Sequence, residues 1–206
     1  MDFRDWEPHY REILDYFGFD REQDEEAARL LASLMTRDNL LSLASLTCGN
    51  EVTVCGNAPC LKDELGKVRG VVFAADAAAE VLDAHGIRPD AIFTDLDGAT
   101  DLFITLNKQG TIIVVHAHGD NIALLKHWVP RFPGPVVATT QATPLPHVHN
   151  FGGFTDGDRA VFAADALGAS HITLIGFDLD DTRVDPLKRG KLIWARRLLA
   201  LIGYAA

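Results

Sequence analysis

The sequence predicts an α/β protein built on a doubly wound, mostly parallel sheet, with a small N-terminal helical segment ahead of it. Three observations predict this. From residue 51 onward, short apolar runs rich in Val and Ile recur without the alternation of a one-sided sheet, as strands buried on both faces do. Amphipathic stretches lie between the runs and close on glycines. Polar and acidic residues follow the runs, as at the carboxyl edge of a parallel sheet, where ligands bind.

In chain order, residues 1–47 read as a helical lead-in. Trp6, Tyr10, Ile13, Leu14 and Phe17, then Ala28, Leu30, Leu31, Leu34 and Met35, fall at helical spacings. The acidic stretch from Asp20 to Glu26 reads as the solvated start of the second helix, where negative side chains complement the helix dipole. Residues 48–206 read as the α/β nucleotide-binding catalytic domain. Its expected strands are Val52 to Cys55, Val71 to Ala75, Ala91 to Thr94, Thr111 to His116, Pro135 to Thr139 and Ile172 to Phe177. Expected helices include Asp76 to His85, ended by Gly86, and Asp158 to Leu167, ended by Gly168. The β-α alternation calls for right-handed crossovers.

Bulk properties narrow the function. A chain of 206 residues supports one full-sized domain, and 48% hydrophobic with 23% charged residues is an ordinary globular balance. A net charge of −10 argues against nucleic acid as partner, because neutralising phosphates takes clustered Lys and Arg. No apolar run approaches the roughly 20 residues of a membrane helix. The amino end, with Asp2, Asp5 and Glu7, lacks a signal peptide's layout, so no membrane association and a cytoplasmic location are expected. Cys48, Cys55 and Cys60 are odd in number and lack paired Cys-x-x-Cys spacing, which fits reduced, buried thiols. An acidic protein can still bind a triphosphate if a divalent cation stands between its carboxylates and the phosphates.

Several constellations at the predicted strand ends carry chemistry. Gly56-Asn57-Ala58-Pro59 leaves a strand and opens a helix at Pro59, a turn whose backbone N–H groups could receive a phosphate, although it is neither a Walker A sequence nor a dinucleotide fingerprint. Asp95 and Asp97 leave a buried strand as an Asp-x-Asp pair able to give Mg²⁺ two hard oxygen ligands, or to cap a turn. Asp76 and Asp120 hold equivalent places on neighbouring runs, and four converging carboxylates call for a cation. His116 with His118, and His147 with His149, have the i, i+2 spacing that could serve zinc; His118 could instead bind phosphate or orient a metal-binding acid. The stretch Gln141 to Asp156 reads as a long loop at the active edge. There Phe151 and Phe154 could stack on a flat heterocycle and Thr140 or Gln141 could read its edge. Arg159, Lys188 and Lys191 could supply positive charge to phosphates.

As an ordered set, Ala75-Asp76, Pro89 to Gly98, His116 to Asn121, Gly152 to Arg159 and Leu174 to Asp178 resemble the archaeal-type 6-hydroxymethyl-7,8-dihydropterin diphosphokinase family, over roughly residues 50–200. The chain also looks like a remote relative of thiamine diphosphokinase, with Ala77 and Ala78 where that family has two glycines and with Thr100-Asp101-Leu102 too close to Asp97 to match its Thr-Asp-Leu element. The resemblance implies transfer of diphosphate from ATP to the pterin's hydroxymethyl group with release of AMP, a step toward folate-like cofactors such as tetrahydromethanopterin. It implies Mg²⁺ on Asp95, Asp97 and Asp120, the last chosen by its strand position, with His118 beside them and Asp76 supporting metal or phosphates. Gly153 and Asp178, within the matching segments, join Gly56, Asn57, Pro59, Thr140, Gln141 and Phe151 as expected ligand-binding positions. The implied partners are ATP and a pterin, and a homodimer is allowed. A thiamine diphosphokinase, a nucleotide-sugar-dependent glycosyltransferase-like enzyme and a non-catalytic nucleotide-binding module are the alternatives.

Overall fold

The computed structural model describes residues 1–204. Seven strands, β1 Glu51–Cys55, β2 Val71–Ala75, β3 Ala91–Thr94, β4 Ile112–Ala117, β5 Val136–Thr140, β6 Val148–His149 and β7 His171–Ile175, form one sheet in the order β6-β5-β4-β3-β2-β1-β7. Every neighbouring pair is parallel. The chain winds from β1 outward to β6, then returns to place β7 on the other side of β1. The switch point therefore lies between β1 and β7, and a crevice opens there.

Nine α-helices accompany the described strands: α1 Phe3–Phe17, α2 Arg21–Leu34, α3 Leu40–Thr47, α4 Leu61–Glu64, α5 Ala78–Ala84, α6 Asp101–Lys108, α7 Ile122–Trp128, α8 Asp156–Ala166 and α9 Pro186–Leu201. On one face of the sheet Cys55, Val72, Ile92 and Val115 pack with Ala27 and Leu31 of α2, Leu82 of α5, Phe103 of α6 and Leu125 of α7. On the other, Val54, Phe73, Phe93 and Val114 meet Leu43 of α3, Val161 and Ala164 of α8 and Leu199 of α9. Both faces are dry, which is why the strands read as continuous apolar runs. No helix among the described residues is long and apolar enough to cross a membrane.

The structure departs from the sequence reading in local and instructive ways. Of the thiols expected to be buried, Cys55 on β1 is, whereas Cys48, just past α3, is exposed and Cys60 is half-buried. The two-residue β6 lies inside the expected long loop and adds a seventh strand at the sheet edge, too short to leave a periodic signal. The helix expected from Asp76 begins at Ala78, because Asp76 turns the chain with φ at +45°. The helix expected from Asp158 begins at Asp156, where Thr155 and Asp158 form a reciprocal cap and Asp158 accepts the Phe154 and Thr155 N–H groups at 2.7 Å.

The acidic stretch at the start of α2 is not simply solvated. Asp20 does cap the helix, accepting the Glu22 N–H at 2.9 Å, but Asp24 is 3% exposed. Its carboxylate accepts the Tyr10 hydroxyl at 2.7 Å, the Gln141 side-chain amide at 2.8 Å and the Gly119 N–H at 2.8 Å. Burial and the Asp24 charge hold the Tyr10 hydroxyl protonated, as that donor role requires. Trp6 of α1 donates to the Gln141 carbonyl at 2.8 Å, and Tyr10 and Ile13 pack in one cluster with Phe162 of α8 and Trp194 of α9. The lead-in helices are thus bolted to the ends of β4 and β5.

Replacing Asp24 with Ala leaves three donors without their partner, each costing about 1–3 kcal/mol when unpaired and buried. Asp24→Ala is expected to lower unfolding stability by about 3 kcal/mol or more in urea titration, and Tyr10→Phe by about 1 kcal/mol.

Candidate active site

Beyond the carboxyl ends of β1 to β5 and β7 lies a cavity of about 480 Å³, a size that suits a small-molecule site. Its base is a group of aspartates that the strand ends and one helix start bring together. Asp76 follows β2, Asp95 and Asp97 follow β3, and Asp156 opens α8. One carboxylate oxygen from each of Asp76, Asp95 and Asp156 lies within 4.8 Å of the others, the one such acidic, histidine or cysteine trio among the described residues.

Each carboxylate is fixed by a local device. The Thr94 hydroxyl donates to Asp76 at 2.6 Å and accepts the Leu96 N–H at 2.8 Å, so one side chain ties the ends of β2 and β3 together. Leu96 takes φ at +75° with its side chain buried, which turns its two aspartate neighbours outward. A Cβ at Gly98 would strike the Asp76 carboxylate, so the Asp-Gly sequence serves close approach as well as turning. Asn121 donates to the Asp95 carbonyl and the His116 carbonyl, both at 2.7 Å, and accepts the His118 N–H at 3.1 Å. It locks the turn after β4 against the turn after β3.

The charges are unevenly supported. Burial pushes Asp76 up to about 6, against the Thr94 hydrogen bond and with help from the Asp97 and Asp95 charges. Withdrawal from water, then the Asp95 charge, raises Asp156 well above the carboxylate range despite Arg159. Burial would raise Asp95 too, but the His118 hydrogen bond and the Arg159 charge outweigh it and hold this carboxyl low. Asp97, more open to solvent, is raised by partial enclosure and by Asp95. A crowded set of hard oxygen donors, two of them raised by burial first and by their neighbours' charge second, fits a divalent cation that would neutralise it.

His118 is oriented rather than free. Its Nδ1 lies 3.3 Å from the Asp120 N–H, which needs an acceptor, so Nε2 carries the proton and donates to Asp95 at 3.3 Å. His116 belongs elsewhere: its ring is buried, held low by that burial, and meets the Thr139 hydroxyl at 3.1 Å. His147 and His149 both face Asp38, at 3.5 and 2.9 Å, outside the cavity. Among the described residues neither histidine pair completes a zinc-type set.

Of the expected site residues, Gly56, Asn57, Pro59, Asp76, Asp95, Asp97, His118, Asp120, Gln141 and Asp178 line the cavity, and Thr140, Phe151 and Gly153 do not. The expected metal set of Asp95, Asp97 and Asp120 differs from the geometric trio. β3 and β4 are neighbours, as the choice of Asp120 requires, but a 3-10 turn over Gly119–Asn121 leaves Asp120 exposed at the rim. Asp156 reaches the cluster from the opposite face of the sheet. Its cue was its place at a helix start after Gly152-Gly153, a signal that spacing along strands cannot carry. Thr140 turns inward, accepting the Ala142 N–H at 3.1 Å. Phe151 packs against the sheet beside His149, and Gly153, with φ at +87°, is needed because a Cβ would lie 2.7 Å from the Arg159 Cα. Gly56 also serves packing, since its Cβ would crowd the Gly176 carbonyl just beyond the paired ends of β1 and β7. The helix expected to open at Pro59 starts at Leu61 and lasts one turn. Asp101 pairs with Arg131 at 3.0 Å, away from the cavity.

Arg159, 8% exposed, bonds Asp156 at 3.2 Å beneath the trio. Lys188 and Lys191 of α9 line the cavity wall, and the Lys191 charge draws Asp97 down against its neighbours.

Comparison with known proteins gives this geometry a family. Residues 27–184, more than half of the chain, match the family described as 6-hydroxymethylpterin diphosphokinase MptE-like. A 6-hydroxymethyl-7,8-dihydropterin pyrophosphokinase of Methanothermobacter thermautotrophicus is 40% identical over 97% of this chain and 94% of its own length. A protein of the same name from Pyrococcus furiosus is 39% identical over 97% of this chain and 93% of its own, and one from Methanocaldococcus jannaschii 35% identical over 86% and 80%. Among solved structures, the MAf glycosyltransferase of Magnetospirillum magneticum superposes with a TM-score of 0.50 at 16% identity, over 87% of this chain and 35% of that one. That likeness speaks for the fold alone, and this chain spans about a third of the longer protein. On the family match and three relatives at 35–40% identity, the chain belongs to the MptE-like 6-hydroxymethylpterin diphosphokinase family.

Proposed function

We propose that the chain transfers the terminal diphosphate of ATP to the hydroxymethyl group of 6-hydroxymethyl-7,8-dihydropterin in a Mg²⁺-dependent reaction that releases AMP. The observation that carries this reading is the carboxylate group of Asp76, Asp95 and Asp156 midway along one cavity at the sheet edge, in a chain whose relatives bear that enzyme name. The residues fit a hard cation, and Asp76, Asp95 and Asp156 would hold it. When bound, the ion supplies charge neutralisation along the triphosphate.

The chain's own residues divide the remaining work. Open parallel sheets bind nucleotides at the switch point, here the crevice between β1 and β7. Gly56, Asn57 and Ala58 on one side and Phe177 and Asp178 on the other line that end, and Lys188 and Lys191 bring cationic charge to the phosphates. The pterin hydroxyl oxygen bonds to the β-phosphorus while the bond from that phosphorus to the α,β-bridging oxygen breaks, and AMP leaves with that oxygen. Such a displacement depends on alignment and charge more than on covalent help. His118 keeps Asp95 oriented through Nε2–H, which leaves it without a free basic nitrogen. Asp97, outside the trio and raised by its surroundings, accepts the hydroxyl proton. With ATP and a small heterocycle as substrates, we place the protein in the cytoplasm.

Incubation with ATP, Mg²⁺ and hydroxymethyldihydropterin is expected to yield AMP and the diphosphate ester by mass spectrometry; ADP, or no product, counts against the reading. Asp156→Asn is expected to lower kcat by at least about a hundredfold and to remove most of the Mg²⁺-induced rise in Tm, while Asp120→Asn stays within about threefold of the parent. The opposite ranking would return the third metal ligand to the β4 end. Asp97→Asn is expected to lower kcat about a hundredfold with both KM values little changed and the Mg²⁺-induced Tm rise retained.

A further inference from the structure

The cavity does not stop at the aspartates. Because the sheet runs β5-β4-β3-β2-β1-β7, Asp76 and Asp95 after β2 and β3, with Asp156 beside them, divide it into a β1/β7 end and a β4/β5 end. The second end is walled by residues that the phosphate chemistry does not use. Phe19 lies in the turn between α1 and α2, Gln23 and Asp24 are in the first turns of α2, and Gln141 and Phe154 border the long loop after β5.

Two features of this end point to a ligand. The first is Gln141, which is 4% exposed. Its carbonyl is held by Trp6 at 2.8 Å and Asn150 at 3.0 Å, and its side-chain nitrogen donates to Asp24 at 2.8 Å. The Asp24 bond fixes which way the amide faces, because a carboxylate can only accept. Oε1 is left buried with no donor from the protein. A buried carbonyl oxygen without a donor is costly, and a ligand N–H would satisfy it. The second is aromatic. Phe19 stacks on Phe17 with centroids 5.2 Å apart and an 11° tilt, and Phe154 lies 6.4 Å from Phe19. Phe19 and Phe154 thus put flat apolar surface on the same wall as the unpaired acceptor.

We propose that this β4/β5 end is the acceptor subsite, in which Phe19 and Phe154 contact the flat face of the dihydropterin and Gln141 Oε1 accepts an N–H from its amino-pyrimidinone edge. The proposal rests on the diphosphokinase reading and adds where the acceptor sits and what selects it. A dihydropterin has the matching chemistry: a planar ring system with N–H donors on one edge and the reacting hydroxymethyl group at the far side, turned toward the aspartates. Phe19, Gln23 and Asp24 precede residue 27, where the family match begins, so part of this wall comes from the lead-in helices. The helical segment therefore has a substrate-selecting task in addition to its structural one.

The test compares Phe19→Ala, Phe19→Tyr and Gln141→Met in the full chain, with folding checked by circular dichroism and Tm. Steady-state KM values for ATP and hydroxymethyldihydropterin are read alongside the Kd of 6-hydroxymethylpterin, followed by its own fluorescence without ATP or Mg²⁺. Phe19→Ala is expected to raise the pterin KM and Kd about tenfold, with the ATP KM within about twofold and with Phe19→Tyr restoring both. Gln141→Met, if folded, follows the same pattern. A rise in the ATP KM with pterin Kd unchanged would put the nucleotide at this end and overturn the proposal, as would no change in either. If the parent protein releases AMP but the variants leave the pterin values untouched, the subsite fails and the diphosphokinase reading stands. If the parent neither binds pterin nor releases AMP, both fall.

Discussion

Repulsion among carboxylates is the constraint around which the rest of this structure is arranged. Asp76, Asp95 and Asp156 approach within 4.8 Å in a partly dehydrated place, where charges of like sign cost more than in water. The parallel sheet delivers two of them, because adjacent strands ending at the same level bring their following residues together. The remaining distance is closed by neutral and cationic neighbours: the Thr94 hydroxyl on Asp76, the His118 ring on Asp95 and the Arg159 guanidinium on Asp156. Three glycines at 56, 98 and 153 stand where a side chain would push β1 from β7, the Asp76 carboxylate from its place, or the loop from Arg159.

The second tie, around Asp24, has a different logic. Its carboxylate takes three donors from three separate parts of the chain, the helix α1, the turn after β4 and the end of β5. Breaking any one contact leaves a polar group without its partner, so the three segments are held as a unit. That coupling makes the lead-in helices part of the cavity wall. The turn at Gly119 that Asp24 holds is also the turn that presents His118 to Asp95, and so the N-terminal helices bear indirectly on the orientation of the carboxylate group.

The fold was legible in the sequence because its signals are local and repeated. Val, Ile and Ala runs such as Val71 to Ala75 are buried on both faces and say so in composition, and Gly86 and Gly168 mark helix ends where the chain takes positive φ. The site was legible to the extent that strand ends dictate it: Asp76, Asp95 and His118 converge as their positions require. What the sequence could not state was depth. Asp120 and Asp156 look alike as acidic residues at element starts, and only the tertiary path sets one at the rim and the other under the cavity. Phe151 and Phe154 are likewise three residues apart in one loop, yet Phe151 packs against the sheet while Phe154 joins Phe17 and Phe19 at the cavity. Asp24 was hidden for the opposite reason, since an acidic helix start is the ordinary solvated case and its three partners lie 14, 95 and 117 residues away.

The charge balance of the cavity sets the order in which its ligands can be accommodated. Nine aspartates line it, against the cationic side chains of Arg159, Lys188 and Lys191. A bare triphosphate entering such a surface would meet net repulsion, and the chain as a whole, at −10, offers no compensating field. On the proposed reaction the nucleotide would arrive with its charge already reduced, as a complex with a divalent cation, or would find that cation in place on the carboxylates. Neither requirement applies to the neutral pterin. On the proposed placement its end of the cavity joins Phe19, Phe154 and Gln141 with an Asp24 carboxylate already held by Tyr10, Gly119 and Gln141, and a neutral ring would not meet the repulsion that a bare triphosphate meets. On that reading one cavity would discriminate its two substrates by charge before any contact reads their shape.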